Sequence, residues 1–112
     1  MEFKIKTKME LVVTEEDIET IIDMAGYGIG YWAERAIVGD DYYKVVDEDG
    51  VCHTLTYDDI CKGINQYITD GNIPYDIIEF NGYNMCLDTG MIDSYIADMI
   101  IQYACFGEVI YG

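Results

Sequence analysis

Basic residues, histidine and proline are the scarce classes in this 112-residue chain, which holds six Lys and Arg together, one histidine and one proline. Against so few cations stand 22 Asp and Glu, for a formal net charge of -16 at pH 7. A field of that sign repels nucleic acid and anionic lipid and favours encounter with basic partners, so direct binding to DNA, RNA or a membrane surface is not expected. Half of the cations, Lys4, Lys6 and Lys8, lie near the N-terminus, and after Glu10 only Arg35, Lys44 and Lys62 remain.

A lone histidine, His53, leaves little material for acid–base or metal chemistry. Nucleophilic catalysis wants a Ser, Cys or Thr beside a base that a third group orients. Cys52 adjoins His53, but neighbours on one strand point to opposite faces. Nothing in the spacing asks Cys61, Cys86 or Cys105 to meet His53 either, and the four cysteines read as small hydrophobes kept reduced in a cytosol. Their irregular spacing lacks the close Cys or His pairs of structural zinc sites.

The run Asp47, Glu48, Asp49, Gly50 lacks the ligands a calcium loop needs at its fixed offsets, so it reads as a charged hairpin tip. Gly26, Gly28 and Gly30 form G-Y-G-I-G, which is not the dinucleotide spacing and follows a helix where a phosphate loop follows a strand. These glycines are expected to cap that helix and allow close backbone approach. No catalytic residue, no metal and no cofactor is expected. With no secretory signal and no apolar run near the roughly 18 residues that cross a bilayer, the expected location is the cytoplasm of a bacterial cell.

What is present is enough apolar surface for a core: 51% of residues are hydrophobic, and the chain has the length of one domain, residues 1–112. No repeat or linker divides it. The patterns predict an α+β fold, a small antiparallel sheet of three to five strands packed with about three helices.

Alternation of Phe3, Ile5 and Thr7 with lysines predicts a first strand within residues 2–13. Thr14 with Asp17 opens a capping box, and Ile18, Ile21, Ile22 and Ala25 predict a helix over 15–25, ended by Gly26 and Gly28. Residues 29–38 read as extended, and a hairpin turning at Asp49-Gly50 makes a three-strand meander with them.

Thr56 with Asp59 repeats the cap and opens a helix over 57–69, closed by Gly71. Residues 72–90 read as irregular, with a short strand near 76–80. Residues 91–106 predict a core helix stopped at Gly107, with Ser94, Asp98 and Gln102 as its one narrow wet stripe, and residues 108–111 a final short strand.

Eleven tyrosines are many for this length. Tyr31 and Trp32 read as packing residues with their polar tips satisfied at the edge. Tyr42, Tyr43 and Tyr57 lie beside Asp40, Asp41, Asp58 and Asp59, a composition suited to half-buried sheet tyrosines or to interface anchors.

At GYGIGYWAERA, residues 26–36, and ADMIIQYACFGEVIYG, residues 97–112, the chain resembles a group of short acidic proteins of phages and integrated elements of Gram-positive bacteria. Members share an acidic helix leading into a glycine-rich Tyr-Trp-Ala box and end in a helix, a Phe-Gly stop and a short apolar tail. The resemblance brings no catalytic residues. It implies a genomic setting in which small acidic proteins inhibit host nucleic-acid enzymes, anti-CRISPR proteins among them.

The expected function is therefore non-enzymatic: an inhibitor or modulator that binds a basic, nucleic-acid-binding surface of a bacterial protein, plausibly a CRISPR effector, by mimicking DNA. Duplex DNA carries one charge per roughly 1.7 Å of axis, which carboxylates on a rigid face can imitate. The candidate partner-binding residues are Glu15, Glu16, Glu19, Asp23, Asp40, Asp41, Tyr42, Asp47, Glu48, Asp49, Asp58 and Asp59. The alternative is a homo-oligomeric structural or small-ligand-sequestering protein, with sites between subunits around Tyr31, Trp32 and residues 109–111.

Overall fold

The computed structural model describes residues 11–70, 77–81 and 84–112; the strand expected before Leu11, the Gly71 stop and Pro74 lie outside the described residues. The chain opens on a two-residue strand β1 (Leu11–Val12), followed by helix α1 (Glu15–Gly28). Thr14 caps α1 as its sequence predicts: its hydroxyl accepts the Asp17 N–H at 3.1 Å, and the Asp17 carboxylate accepts the Thr14 N–H at 2.9 Å.

Helix α1 runs three residues past the predicted end at 25. Gly26 and Gly28 do not cap it, because neither takes a positive φ. Gly28 instead serves close approach, since a Cβ there would collide with the backbone carbonyl of Ser94. Packing thus outweighs the weak helix propensity of glycine.

Strands β2 (Ala33–Val38), β3 (Tyr42–Asp47) and β4 (Cys52–Thr56) form the predicted antiparallel meander, in the order β2-β3-β4. Gly50 has φ +81°, the left-handed value that Asp49-Gly50 forecast for the turn. Along β3 burial alternates, with Tyr43, Val45 and Asp47 inward. Strand β2 is an edge, and it is exposed from Glu34 to Val38. Helix α2 (Tyr57–Thr69) starts at the Thr56–Asp59 capping box and matches its predicted span.

Beyond α2 the sequence reading needs correction. The stretch expected to be irregular with one strand holds two, β5 (Ile78–Asn81) and β6 (Asn84–Leu87), and then a 3-10 turn, Thr89–Met91. They form a sheet of their own with β1, in the order β1-β6-β5, so the described residues hold two three-stranded sheets instead of one. The cause is the parallel pairing Leu11↔Met85 and Val12↔Cys86, a long-range contact that no local pattern encodes.

Helix α3 (Ser94–Phe106) is capped by Asp93, which accepts the Ile96 N–H at 2.8 Å, and stops at Gly107 with φ +74°. It packs against both α1 and α2, burying Ala97, Ile100 and Ile101 completely. The expected wet stripe is not wet: Asp98 is 4% exposed and Gln102 0%. Nor do residues 108–111 form a strand. Among the described residues no helix is long and apolar enough to cross a membrane.

At the α2–α3 crossing, a Cβ on Gly63 would lie 2.6 Å from the Ile100 carbonyl oxygen and 3.2 Å from the Ala104 side chain. Gly63→Ala should therefore destabilise the protein by about 1–3 kcal/mol through overpacking. Gly26→Ala, on a helix position with open space, should stabilise it by about 0.5–1 kcal/mol. Urea denaturation of both variants checks the pair; an unharmed Gly63→Ala would mean that the helices can separate without cost.

Candidate functional site

Three neighbourhoods collect the polar and aromatic residues. The first is buried. Asp98 on α3 accepts hydrogen bonds from the Trp32 indole N–H at 2.7 Å and from the Gln102 amide at 2.9 Å, both on Oδ1. Its Oδ2 accepts from the Tyr31 hydroxyl at 2.6 Å.

Gln102 reaches in the opposite direction, its Oε1 accepting the backbone N–H groups of Ile110 at 2.9 Å and Tyr111 at 2.8 Å. Those two donors fix the amide orientation, leaving Nε2 to donate to Asp98 and, at 3.1 Å, to the Tyr111 carbonyl. Tyr111 then stacks on Trp32, with centroids 5.3 Å apart and planes 4° apart, and Phe106 meets both rings edge-on. Loss of solvation, then the bond to Asp98, pushes the Tyr31 phenol up to about 12.

The second neighbourhood is a cleft of about 300 Å³ lined by Glu19, Ile22 and Asp23 of α1, by Val38, Gly39 and Asp40 at the β2–β3 turn, and by Tyr57 at the start of α2. Tyr57 is half-buried there, and its hydroxyl donates to the Asp40 carbonyl at 3.3 Å. Its phenol is raised by loss of solvation and next by the carboxylates of Glu19, Glu15, Asp41 and Asp40. A Cβ on Gly39 would overlap the Tyr42 ring that lies over it, so a side chain there would displace that ring.

The third is the β3–β4 turn. Asp47 is buried, its Oδ1 accepting the N–H groups of Asp49 at 2.9 Å and Val51 at 3.0 Å, and its Oδ2 lies 2.9 Å from Nε2 of His53. A carboxylate partner places the proton on that ring nitrogen. The His53 bond, ahead of the two backbone bonds, lowers the Asp47 pKa below its ordinary 3.8. His53 also meets Phe106 edge-on at 4.9 Å.

Cys105 lies in the same region, but loss of solvation and then Asp47 push its thiol up to about 12, so it stays protonated near neutrality. All four cysteines are free, and among the described residues no group of acids, cysteines and histidine could hold a metal ion.

The predicted acidic residues thus divide. Glu19, Asp23 and Asp40 line the Tyr57 cleft, the charges of Glu15 and Asp41 bear on its phenol, and Tyr42 lies over Gly39 beside it. Asp47, Glu48 and Asp49 sit at the other end of β3, Glu48 and Asp49 close enough to Tyr111 to raise its phenol, after loss of solvation, so they belong to a different face. Asp47 is a correction: it is committed to its own turn and to His53. Asp59 is likewise held by the α2 cap, with its pKa lowered by the Thr56 backbone, whereas Glu16 and Asp58 are exposed on the first turns of their helices.

Sequence reasoning missed Asp98 and Gln102, the pair on which both motif stretches close. Their signal was two polar residues four apart on an otherwise apolar helix. No family model matches the chain, and neither a curated protein nor a solved structure matches it.

Trp32→Phe keeps the ring stack but removes one of two donors to Asp98 Oδ1, and should cost about 1–3 kcal/mol, read as a shift in the urea midpoint. Asp47 predicts a pH effect of definite sign. Because its folded pKa lies below 3.8, its stabilisation is complete above that value and is lost as pH falls through the lowered one. Asp47→Asn should lower stability at pH 7 and flatten its decline below about pH 4 in denaturation curves.

Proposed function

We propose that the chain is a binding protein that presents the Tyr57 cleft to a basic, nucleic-acid-binding surface of a bacterial protein, as an inhibitor encoded by a phage or mobile element would. A CRISPR effector is one such partner. The observation that carries the reading is that Glu19, Asp23 and Asp40 line one cleft with the half-buried Tyr57. These acids come from two elements distant in sequence, α1 and the β2–β3 turn, so the fold itself concentrates the charge.

Among the described residues these acids have no Lys or Arg partner, the one ion pair being His53–Asp47. Unneutralised carboxylates at the rim of a low-dielectric cleft focus a negative potential that attracts Lys and Arg side chains. Tyr57 supplies the amphipathic ring that anchors such contacts. Rim charges act chiefly on association rate and salt dependence, so binding should weaken as ionic strength rises.

A second reading, a homo-oligomer, draws on β2. This edge strand exposes Ile37 at 42% and Val38 at 64%, and an unpaired apolar edge is a template for pairing with another chain. Trp32 and Tyr111, by contrast, are spent on each other within the chain. Light scattering distinguishes a monomer from such an assembly.

The test is capture of partners from bacterial lysate at low salt by the tagged protein and by two charge-reversed forms, with circular dichroism confirming the fold. Glu19→Lys with Asp23→Lys and Asp40→Lys should weaken capture of a basic nucleic-acid-binding protein by at least about tenfold. Glu48→Lys with Asp49→Lys, at the far end of β3, should leave it intact. Equal loss from both forms would reduce the effect to net charge, and no loss from the first would end the cleft model.

A further inference from the structure

A different cavity, of about 430 Å³, opens between the end of α1 and the start of α3, lined among others by Tyr27, Tyr31, Tyr95 and Asp98. Its walls and floor differ sharply in exposure. Tyr27 is 84% exposed, Tyr31 56% and Tyr95 68%, whereas Asp98 is 4% exposed. Three large aromatic side chains left in water around one mouth are uncommon on a chain that buries its Trp32 and Tyr43.

The floor carries a charge without a counter-ion. Asp98 accepts three hydrogen bonds, and among the described residues no cation pairs with it. Buried charges are ordinarily paired, because a low-dielectric site penalises a lone ion. The two oxygens are not equivalent. Oδ1 takes both Trp32 and Gln102, whereas Oδ2 takes Tyr31 alone and keeps one acceptor position.

Other features share that sign. The cavity is bordered by Gly28, the last residue of α1, and the last turn of that helix holds no basic residue to offset the negative end of its dipole. Tyrosine rings around a carboxylate are the means by which proteins hold organic cations. An anion is repelled by Asp98. A guanidinium would want both carboxylate oxygens for its fork, and Oδ1 is already occupied. An ammonium is a point charge and needs only one.

We infer that this cavity binds an alkylammonium group, with Asp98 as its counter-ion at the floor and Tyr27, Tyr31 and Tyr95 as its aromatic wall. The inference is independent of the acidic cleft. The shared chemistry has two sources, a free quaternary ammonium compound or the primary ammonium of a lysine side chain on another protein.

The experiment titrates the full chain with choline, with its uncharged isostere 3,3-dimethyl-1-butanol, and with N-acetyl-lysine methylamide, following the aromatic proton resonances. Choline or the lysine derivative should bind saturably with a dissociation constant of about 1 mM or tighter, and the uncharged isostere at least about tenfold more weakly. Tighter binding of the lysine derivative assigns the site to a protein side chain, and tighter binding of choline to a free quaternary ammonium compound.

Because Asp98→Asn disturbs a buried network, the variants that decide are Tyr27→Ala and Tyr95→Ala, whose side chains are exposed. Each should keep its circular dichroism and melting temperature while binding the preferred probe at least about fivefold more weakly. Equal binding of choline and its isostere, no saturation of either cation by about 50 mM, or unchanged affinity in both tyrosine variants overturns the site.

Discussion

The Asp98 carboxylate is the point on which the rest of the structure closes. It sits inside α3, the helix that packs on both α1 and α2, and draws to itself the Trp32 indole that follows α1. Through Gln102 it also governs the C-terminal tail, whose backbone N–H groups at Ile110 and Tyr111 have that one amide oxygen as acceptor. An α-helix leaves its final carbonyls and the following chain to find their own partners. Here the Gln102 amide supplies partners to the following chain, and every buried side-chain nitrogen or oxygen among the described residues has a partner.

That arrangement gives the two motif stretches a common meaning. The glycine-rich Tyr-Trp-Ala box and the helix with its Phe-Gly stop lie far apart in sequence, but Tyr31, Trp32, Asp98, Gln102, Phe106 and Tyr111 form one contact set. Each stretch is incomplete alone: Trp32 needs an acceptor, and Asp98 needs donors. A polar network in which every buried atom has a partner specifies a single packing, because the alternatives leave a buried group unpaired.

Negative charge is distributed by a different rule. Some acids are consumed locally, Asp17 and Asp59 by capping boxes, Asp93 by the α3 cap and Asp47 by its own turn. Others, Glu19, Asp23 and Asp40, line one cleft between α1 and the β2–β3 turn. Count and net charge treat these two populations alike. Their physical difference is that a capping carboxylate already has backbone donors, whereas the cleft acids have hydrogen-bonding capacity left for a partner.

Local chemistry made much of the fold legible. Both Thr-Asp capping boxes, the Asp49-Gly50 turn with its left-handed glycine, the Gly107 stop and the meander followed from patterns of a few neighbouring residues. The acidic character of α1 and of the β2–β3 turn was equally plain, and with it most of the candidate cleft. Those are properties of side-chain type and spacing, which a chain carries whether folded or not. Only the tertiary structure decided that β1 pairs with β6, that α1 runs through Gly26 and Gly28, and that the polar stripe of α3 is buried. Each depends on a partner remote in sequence, whether a strand, the Ser94 carbonyl or the Trp32 indole, and a helical pattern records that a face is polar without recording what lies against it.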